Sequence, residues 1–277
     1  MTARVSRRSV LLALGGVGLL AGCGDDQATW HADGELPGDS RSGDEASPNV
    51  SDSATPLVVP PANPPTAGVC PPPLGVVQKQ GGPQYVLPCH GTDIALTVDD
   101  GPDPTYTPKM LALLAQQGIR ATFCMIGHSA VTHPDLVKRV LDGGHHIANH
   151  TFSHPLNIAK LPASAVRAEM AKATDAIAKA SGNGYRPTLF RSPGGAWSST
   201  VLGQCSAQGL RALDWTVDPR DWSRPGVQHI VTTILTKTRP GSIILEHDGG
   251  GNREQTLTAL GVVLPRLRDA GYTFVQP

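Results

Sequence analysis

Two adjacent carboxylates, Asp99 and Asp100, end the apolar run Ile94-Ala95-Leu96-Thr97-Val98 and are followed at once by Gly101-Pro102. Gly-Pro stops a strand, so the acids are left at a strand tip. Further along, His150-Thr151-Phe152-Ser153-His154-Pro155 carries two histidines four residues apart. A carboxylate with His-x3-His is a ligand set for a divalent cation, zinc before others. Four-residue spacing is about one helical turn, which would aim both rings at one ion. Three protein ligands leave coordination positions open, the mark of a catalytic rather than a structural site. The second, non-ligating carboxylate is then available as a base toward water at the metal.

The elements that must carry these groups follow from periodicity. Strands are expected at Asp93–Val98, Ala121–Ile126, His146–Ala148, Thr188–Phe190, Arg211–Val217, Ser242–Glu246 and Tyr272–Val275. Between them, helices are expected from Thr107-Pro108 to Gly118, then at Asp135–Leu141, Ala163–Ala180, Ser198–Gln208, Val227–Lys237 and Glu254–Ala270. Several of these end at glycine, the usual left-handed cap. Strands alternating with helices mean a parallel sheet with crossover helices, and the solid apolar strands mean both faces are covered. Asp99-Asp100, His150, Arg191, Asp218 and His247 each follow a different strand. In a closed barrel those carboxyl ends share one mouth; in an open sheet they would be spread out. The expected fold is therefore α/β, a distorted TIM-like barrel of (β/α)7 type.

The chain has 277 residues, with 23 basic and 23 acidic side chains. Such a balance gives no basic face for nucleic acid, so none is expected as a partner. Arg7-Arg8 precede the apolar run Val10–Leu20, too short for a mature membrane span, and residues 1–22 read as a signal peptide of twin-arginine type. Leu20-Ala21-Gly22-Cys23 resembles the lipobox of bacterial lipoproteins, which implies cleavage before Cys23 and a lipid on its sulfur. Removing residues 1–22 takes Arg4, Arg7 and Arg8 and no acid, leaving a mature balance of −3. Residues 23–85 are rich in Asp, Ser, Gly and Pro and are expected to be a disordered tether to the membrane. Residues 86–277 are the expected catalytic domain, taken as a monomer. In an exported chain Cys70 and Cys89 can pair across the domain entrance, while Cys124 reads as a buried apolar group. His128, His133, His145 and His146 read as structural or exposed positions.

Five motifs stand in order: Thr97-Val98-Asp99-Asp100-Gly101-Pro102, Asn149-His150-Thr151-Phe152-Ser153-His154-Pro155, Phe190-Arg191-Ser192-Pro193-Gly194-Gly195, Trp215-Thr216-Val217-Asp218-Pro219-Arg220-Asp221-Trp222, and Ile244-Leu245-Glu246-His247-Asp248. Together they resemble the polysaccharide deacetylases of the NodB-homology, carbohydrate esterase family 4 type, over about residues 90 to 277. The resemblance implies that Asp100, His150 and His154 hold the metal, zinc first, with cobalt and others acceptable to this set. It implies Asp99 as general base and Arg191 as the residue that orients it and keeps it ionised. The backbone N–H of Gly194 would donate to the oxyanion. His247 would be the general acid, with Asp218 hydrogen-bonded to its imidazole and Asp221 the alternative partner. Leu245 would contact the acetyl methyl, and Trp222 would line the groove.

The reaction implied is hydrolysis of N-acetyl groups on the sugars of a cell-envelope glycan, peptidoglycan first, with release of acetate. The chain would sit at the outer face of the membrane, facing the wall. An O-acetyl glycan esterase is the chemically adjacent reading, and a catalytically silent glycan-binding lipoprotein is the third. Three positions depart from the family pattern. Val98 stands where Phe is usual, Gly194 where an aromatic is common, and Glu246 where an apolar residue is frequent before the histidine.

Overall fold

The first strand sets the geometry of everything else. In β1 (Asp93–Asp99), Ile94, Leu96 and Val98 join the main apolar core with residues of the surrounding helices, while Ala95 belongs to a smaller inner cluster. Side chains of a strand alternate between faces, so Thr97 and Asp99 share the inner side with Ala95. The computed structural model describes residues 56–65, 81–88 and 90–277. Cys23 and the Cys70/Cys89 pair, together with the expected signal peptide, lie outside the described residues. Cys124 and Cys205 are both buried free thiols.

After β1 come α1 (Tyr106–Gln117), β2 (Thr122–Met125), α2 (Gly127–Thr132), α3 (Pro134–Asp142), β3 (His146–Asn149) and α4 (Ala163–Ser181). They are followed by β4 (Leu189–Phe190), α5 (Ser199–Ala207), β5 (Arg211–Ala212), α6 (Val227–Lys237), β6 (Ile243–His247), α7 (Glu254–Asp269) and β7 (Thr273–Phe274). The strands pair in parallel in the order β5-β4-β3-β2-β1-β6, and β7 pairs with the start of β1. Beyond β5 the chain bends, then Val217 forms a parallel bridge with Ile244 of β6. That bridge joins the two ends of the strand order and curls the sheet into the expected barrel-like form.

Gly118 shows why α1 stops where it does. It adopts φ 64°, and its N–H caps the carbonyls of Ala115 and Leu114, a conformation cheap only without a Cβ. The inner cluster joins the small side chains of Ala95, Cys124 and Ala148 to Ile243, Leu87, Leu189 and Leu213. The larger Phe123, Met125, Ile147 and Ile244 pack outward with α1, α3, α6 and α7 residues. A core two layers deep fixes the strand ends as a rigid rim.

Two features differ from the sequence expectation. The strand expected at Arg211–Val217 is regular only at Arg211–Ala212; Leu213 still donates to the Phe190 carbonyl of β4 and is bridged on its other side by Gln84, and the chain then departs from the ladder. The segment expected as tether also contributes to the domain. Leu57, Val59 and Ala62 pack on the main core, and Asn63 donates to the carbonyls of Leu235 and Thr236 at the end of α6. Gln84 and Val86 form bridges to Leu213 and Ser242. Proline-rich backbone is extended and has few donors to satisfy, so a few apolar side chains are enough to lay it on a surface.

Candidate metal centre and active site

The end of β1 delivers both acids to the mouth of the barrel. Asp99 is buried, and its Oδ1 accepts from an Arg191 Nη1 at 2.7 Å. Asp100 takes a left-handed φ of 73°, which turns its carboxylate away from the strand line. The β6–α7 loop closes over it through glycines. A Cβ on Gly249 would lie 2.1 Å from the Asp100 carbonyl oxygen, and one on Gly250 2.9 Å from Asp100 Oδ2. Any side chain at Gly249 would meet backbone, so this close approach requires glycine.

His150 follows β3 and is fully enclosed. Its Nδ1 lies 2.9 Å from the carbonyl of Arg191. An N–H donated there leaves Nε2 as a lone pair facing the mouth. Nε2 of His150 is 3.4 Å, and Nε2 of His154 3.2 Å, from Asp100 Oδ1. The three ligand atoms all lie within 4.8 Å of one another. Asp100 Oδ1 has no well-aimed hydrogen-bond donor among the described residues. Three acceptors converging on one point repel one another unless a cation or protons lie between them. The carboxylates raise the pKa of His150 against the opposing effect of burial, and a divalent ion would take the place of that proton. The donor set therefore fits a metal ion.

His154 does not arrive on a helix, contrary to the one-turn reading of the spacing. Residues 150–154 form an irregular loop with positive φ at Thr151 (66°) and His154 (57°). Thr151 Oγ1 accepts the His154 N–H at 3.0 Å. Glu169, from α4, accepts the N–H groups of Phe152 and Ser153 and the Ser153 hydroxyl. Side-chain acceptors thus satisfy a loop backbone that no helix satisfies.

On the opposite wall, β6 places His247 in register with Asp99. Its Nδ1 is 2.7 Å from Asp221 Oδ1, while Asp221 Oδ2 accepts the His247 backbone N–H and the Thr256 hydroxyl. Asp218 makes no such contact. Its Oδ1 accepts the Arg220 N–H at 2.7 Å instead and caps the turn that carries Asp221 inward. The partner of His247 is therefore the alternative, Asp221. Arg220, at φ 56°, turns the chain so that the next residue, Asp221, three after Asp218, is the buried acid.

A cavity of about 430 Å³ lies among Asp99, Asp100, His150, His154, Gly194, Asp218, Trp222, Leu245 and His247, with Leu156, Trp215, Gly250 and Arg253 completing its wall. Arg191 stands behind Asp99 rather than in the cavity, with no solvent exposure. It donates to Thr97 Oγ1 at 2.7 Å and to the Asp214 carbonyl at 3.0 Å, and it lies 5.5 Å from the Trp215 ring.

A family model for polysaccharide deacetylases matches residues 88–213. A chitooligosaccharide deacetylase of Sinorhizobium fredii is 40% identical over 199 residues, covering 67% of this chain and 92% of that protein. A peptidoglycan-N-acetylglucosamine deacetylase of Bacillus cereus is 40% identical over 203 residues, covering 72% and 92%. The chain belongs to the polysaccharide deacetylase family. A solved peptidoglycan N-acetylglucosamine deacetylase, in complex with 4-naphthalen-1-yl-N-oxidanyl-benzamide, has a TM-score of 0.66 and 35% identity. That match covers 69% of this chain and 89% of the other.

The acid–base character of this deacetylase site follows from its surroundings. Burial lowers the pKa of His247, but the hydrogen bond and charge of Asp221, with Asp99 and Asp100 beyond, outweigh it and push the value up to about 9. Burial likewise raises Asp221, yet His247 and Thr256 hold it below its ordinary value. Several wall residues were not singled out by sequence reasoning. Trp215 sits in a quoted motif and packs over Gly195, where a Cβ would lie 2.9 Å from the ring. Leu156 and Arg253 carry no local signal at all; they reach the cavity through loops whose course depends on the whole barrel.

Proposed function

We propose that the enzyme removes N-acetyl groups from N-acetylglucosamine-type sugars of a cell-envelope glycan, peptidoglycan first, and releases acetate. The observation that carries this reading is the arrangement across one cavity of an ion-binding triad, a base held by a buried guanidinium, and an imidazole held by a buried carboxylate. The names of the relatives support the sugar, since they point to chitooligosaccharides and to peptidoglycan N-acetylglucosamine.

A zinc ion held by Asp100, His150 and His154 would supply Lewis-acid polarisation of the acetyl carbonyl and a more acidic water. Asp99 is the group placed to take the proton as water attacks the carbonyl carbon. Arg191 fixes its orientation through the 2.7 Å hydrogen bond and keeps a positive charge behind it. The Gly194 N–H is assigned to the oxyanion; one such donor is worth about 10²–10³ in rate. His247, held protonated by Asp221, gives its proton to the leaving nitrogen, since an amide ion is too basic to depart alone. Leu245 faces the acetyl methyl, and Trp222, 47% exposed at the rim, stacks beneath the glycan.

The test is acetate release from N-acetylglucosamine oligomers and from purified cell wall. Asp99→Asn should abolish release, and release that persists in this variant would refute the assignment. Parallel O-acetylated substrates separate amidase from esterase activity. Among the described residues, no helix is long and apolar enough to cross a membrane. The lipobox-like sequence ending at Cys23 supports export as a lipoprotein held at the outer face of the membrane. Cys23→Ala should then release the protein from the membrane fraction.

A further inference from the structure

Glu246 occupies β6 between two cavity-facing residues, Leu245 and His247, so its own side chain points the other way. It pairs in register with Val98, and Ile244 on the same face belongs to the main apolar core. The carboxyl is fully buried, and neither Oε1 nor Oε2 meets a hydrogen-bond donor among the described residues. A carboxylate can only accept hydrogen bonds, so in its charged form this group would be left with no donor. The side chain it faces is Asp221, another acceptor. A neutral carboxylic acid has an O–H to give to that acceptor.

On balance the surroundings of Glu246 also favour the neutral acid. Burial comes first, then Asp221 and Asp218 from the loop before α6, all opposing ionisation; Arg253 at the head of α7 favours it and is outweighed. The carboxyl is held well above its ordinary titration range.

We propose that Glu246 is a positioning residue for the hydrolysis: it remains a neutral acid and donates its O–H to Asp221, which tempers the hold of Asp221 on His247. The role rests on the assignment of His247 as proton donor. Asp221 already accepts from His247 Nδ1, the His247 backbone and Thr256. A further donor spreads its negative charge and lowers its basicity. His247 is then a stronger acid than a singly partnered Asp–His pair would make it, and it gives up its proton more readily.

The sign of the effect follows. Asp99 and Asp100 also face His247 and favour its charged form, with the His154 ring nearby opposing it, and no substitution at Glu246 touches these. Glu246→Leu removes the donor and keeps an apolar volume in the core. Asp221 then grips the imidazolium harder, and the alkaline limb of kcat/KM moves up by roughly half to one pH unit. That corresponds to roughly a 3- to 10-fold higher proton affinity, the effect of one neutral hydrogen bond. Glu246→Gln restores a donor and should bring the limb back toward the native position.

The chain has only five glutamates, so carbon-13 labelling of their carboxyls gives a readable NMR spectrum of the zinc-loaded, full-length protein. The resonance lost in Glu246→Gln should show the shift of a neutral acid, unchanged between about pH 6 and pH 8. A carboxylate shift across that range overturns the proposal. So does an alkaline limb that stays put or moves down in Glu246→Leu. The resonance decides the protonation state whether or not acetate is released, and it does so in the native protein if the leucine variant fails to fold.

Discussion

Replacing Asp221 with Asn isolates the contact that holds His247. The native carboxylate meets the imidazole Nδ1 at 2.7 Å in a site 1% exposed to solvent. A hydrogen bond to a charged group in such a setting contributes about 1.5–3 kcal/mol. If that interaction serves the protonated ring, its loss lowers kcat/KM by roughly 10- to 150-fold near neutral pH. The direction with pH is also set. The native imidazole is held protonated up to about 9, so the rate falls only as pH rises through that value. Asn has no charge to oppose burial, and the alkaline limb should drop by about two units or more, toward or below the ordinary histidine value. The Asn carbonyl can still accept the His247 backbone N–H, so the loop is retained. Asp218→Asn is the control, because Asp218 caps the Arg220 N–H and leaves the ring untouched. Its effect should stay within a few fold with the limb unmoved. The assay is acetate release from N-acetylglucosamine oligomers across a pH series. An unmoved limb in Asp221→Asn, or the large shift appearing in Asp218→Asn, would refute the reasoning.

Arg191→Met leaves the buried Asp99 carboxylate without its partner, and chemical denaturation should show a loss of about 3–5 kcal/mol alongside lost activity. Gly249→Ala forces a methyl to within 2.1 Å of the Asp100 carbonyl; the loop must move, and calorimetric zinc titration should show weaker binding with a lowered Tm. Glu169→Ala removes the acceptor for three donors of the His154 loop, and zinc affinity should fall by about 10- to 100-fold while far-UV circular dichroism is retained.

The sequence carries the strand and helix alternation clearly because each apolar face repeats at its own period. All seven expected strands and six expected helices have counterparts in the structure. The helix α2, Gly127–Thr132, escaped because its six residues hold too short an apolar pattern to register. The regular part of β5 is shorter than its apolar residues imply, because after Leu213, which still bonds Phe190 of β4, the chain leaves that ladder and Val217 pairs with Ile244 of β6 instead. Residue types in the candidate site were readable, since acids and histidines at strand tips have few structural uses. Their contacts were less so. Asp218 and Asp221 look equivalent in the chain, and only the left-handed turn at Arg220 decides which one is buried. The two histidines meet Asp100 through a loop propped by Glu169, and no spacing rule encodes that long-range contact.

The proposed hydrolysis depends on one ion shared by Asp100, His150 and His154. Crystals of the zinc-loaded protein, measured on both sides of the zinc absorption edge, should give a single strong anomalous peak. It should lie within about 2.0–2.2 Å of Nε2 of both histidines and one Asp100 oxygen. A peak that excludes either histidine, or its absence from this cavity at saturating zinc, would contradict it.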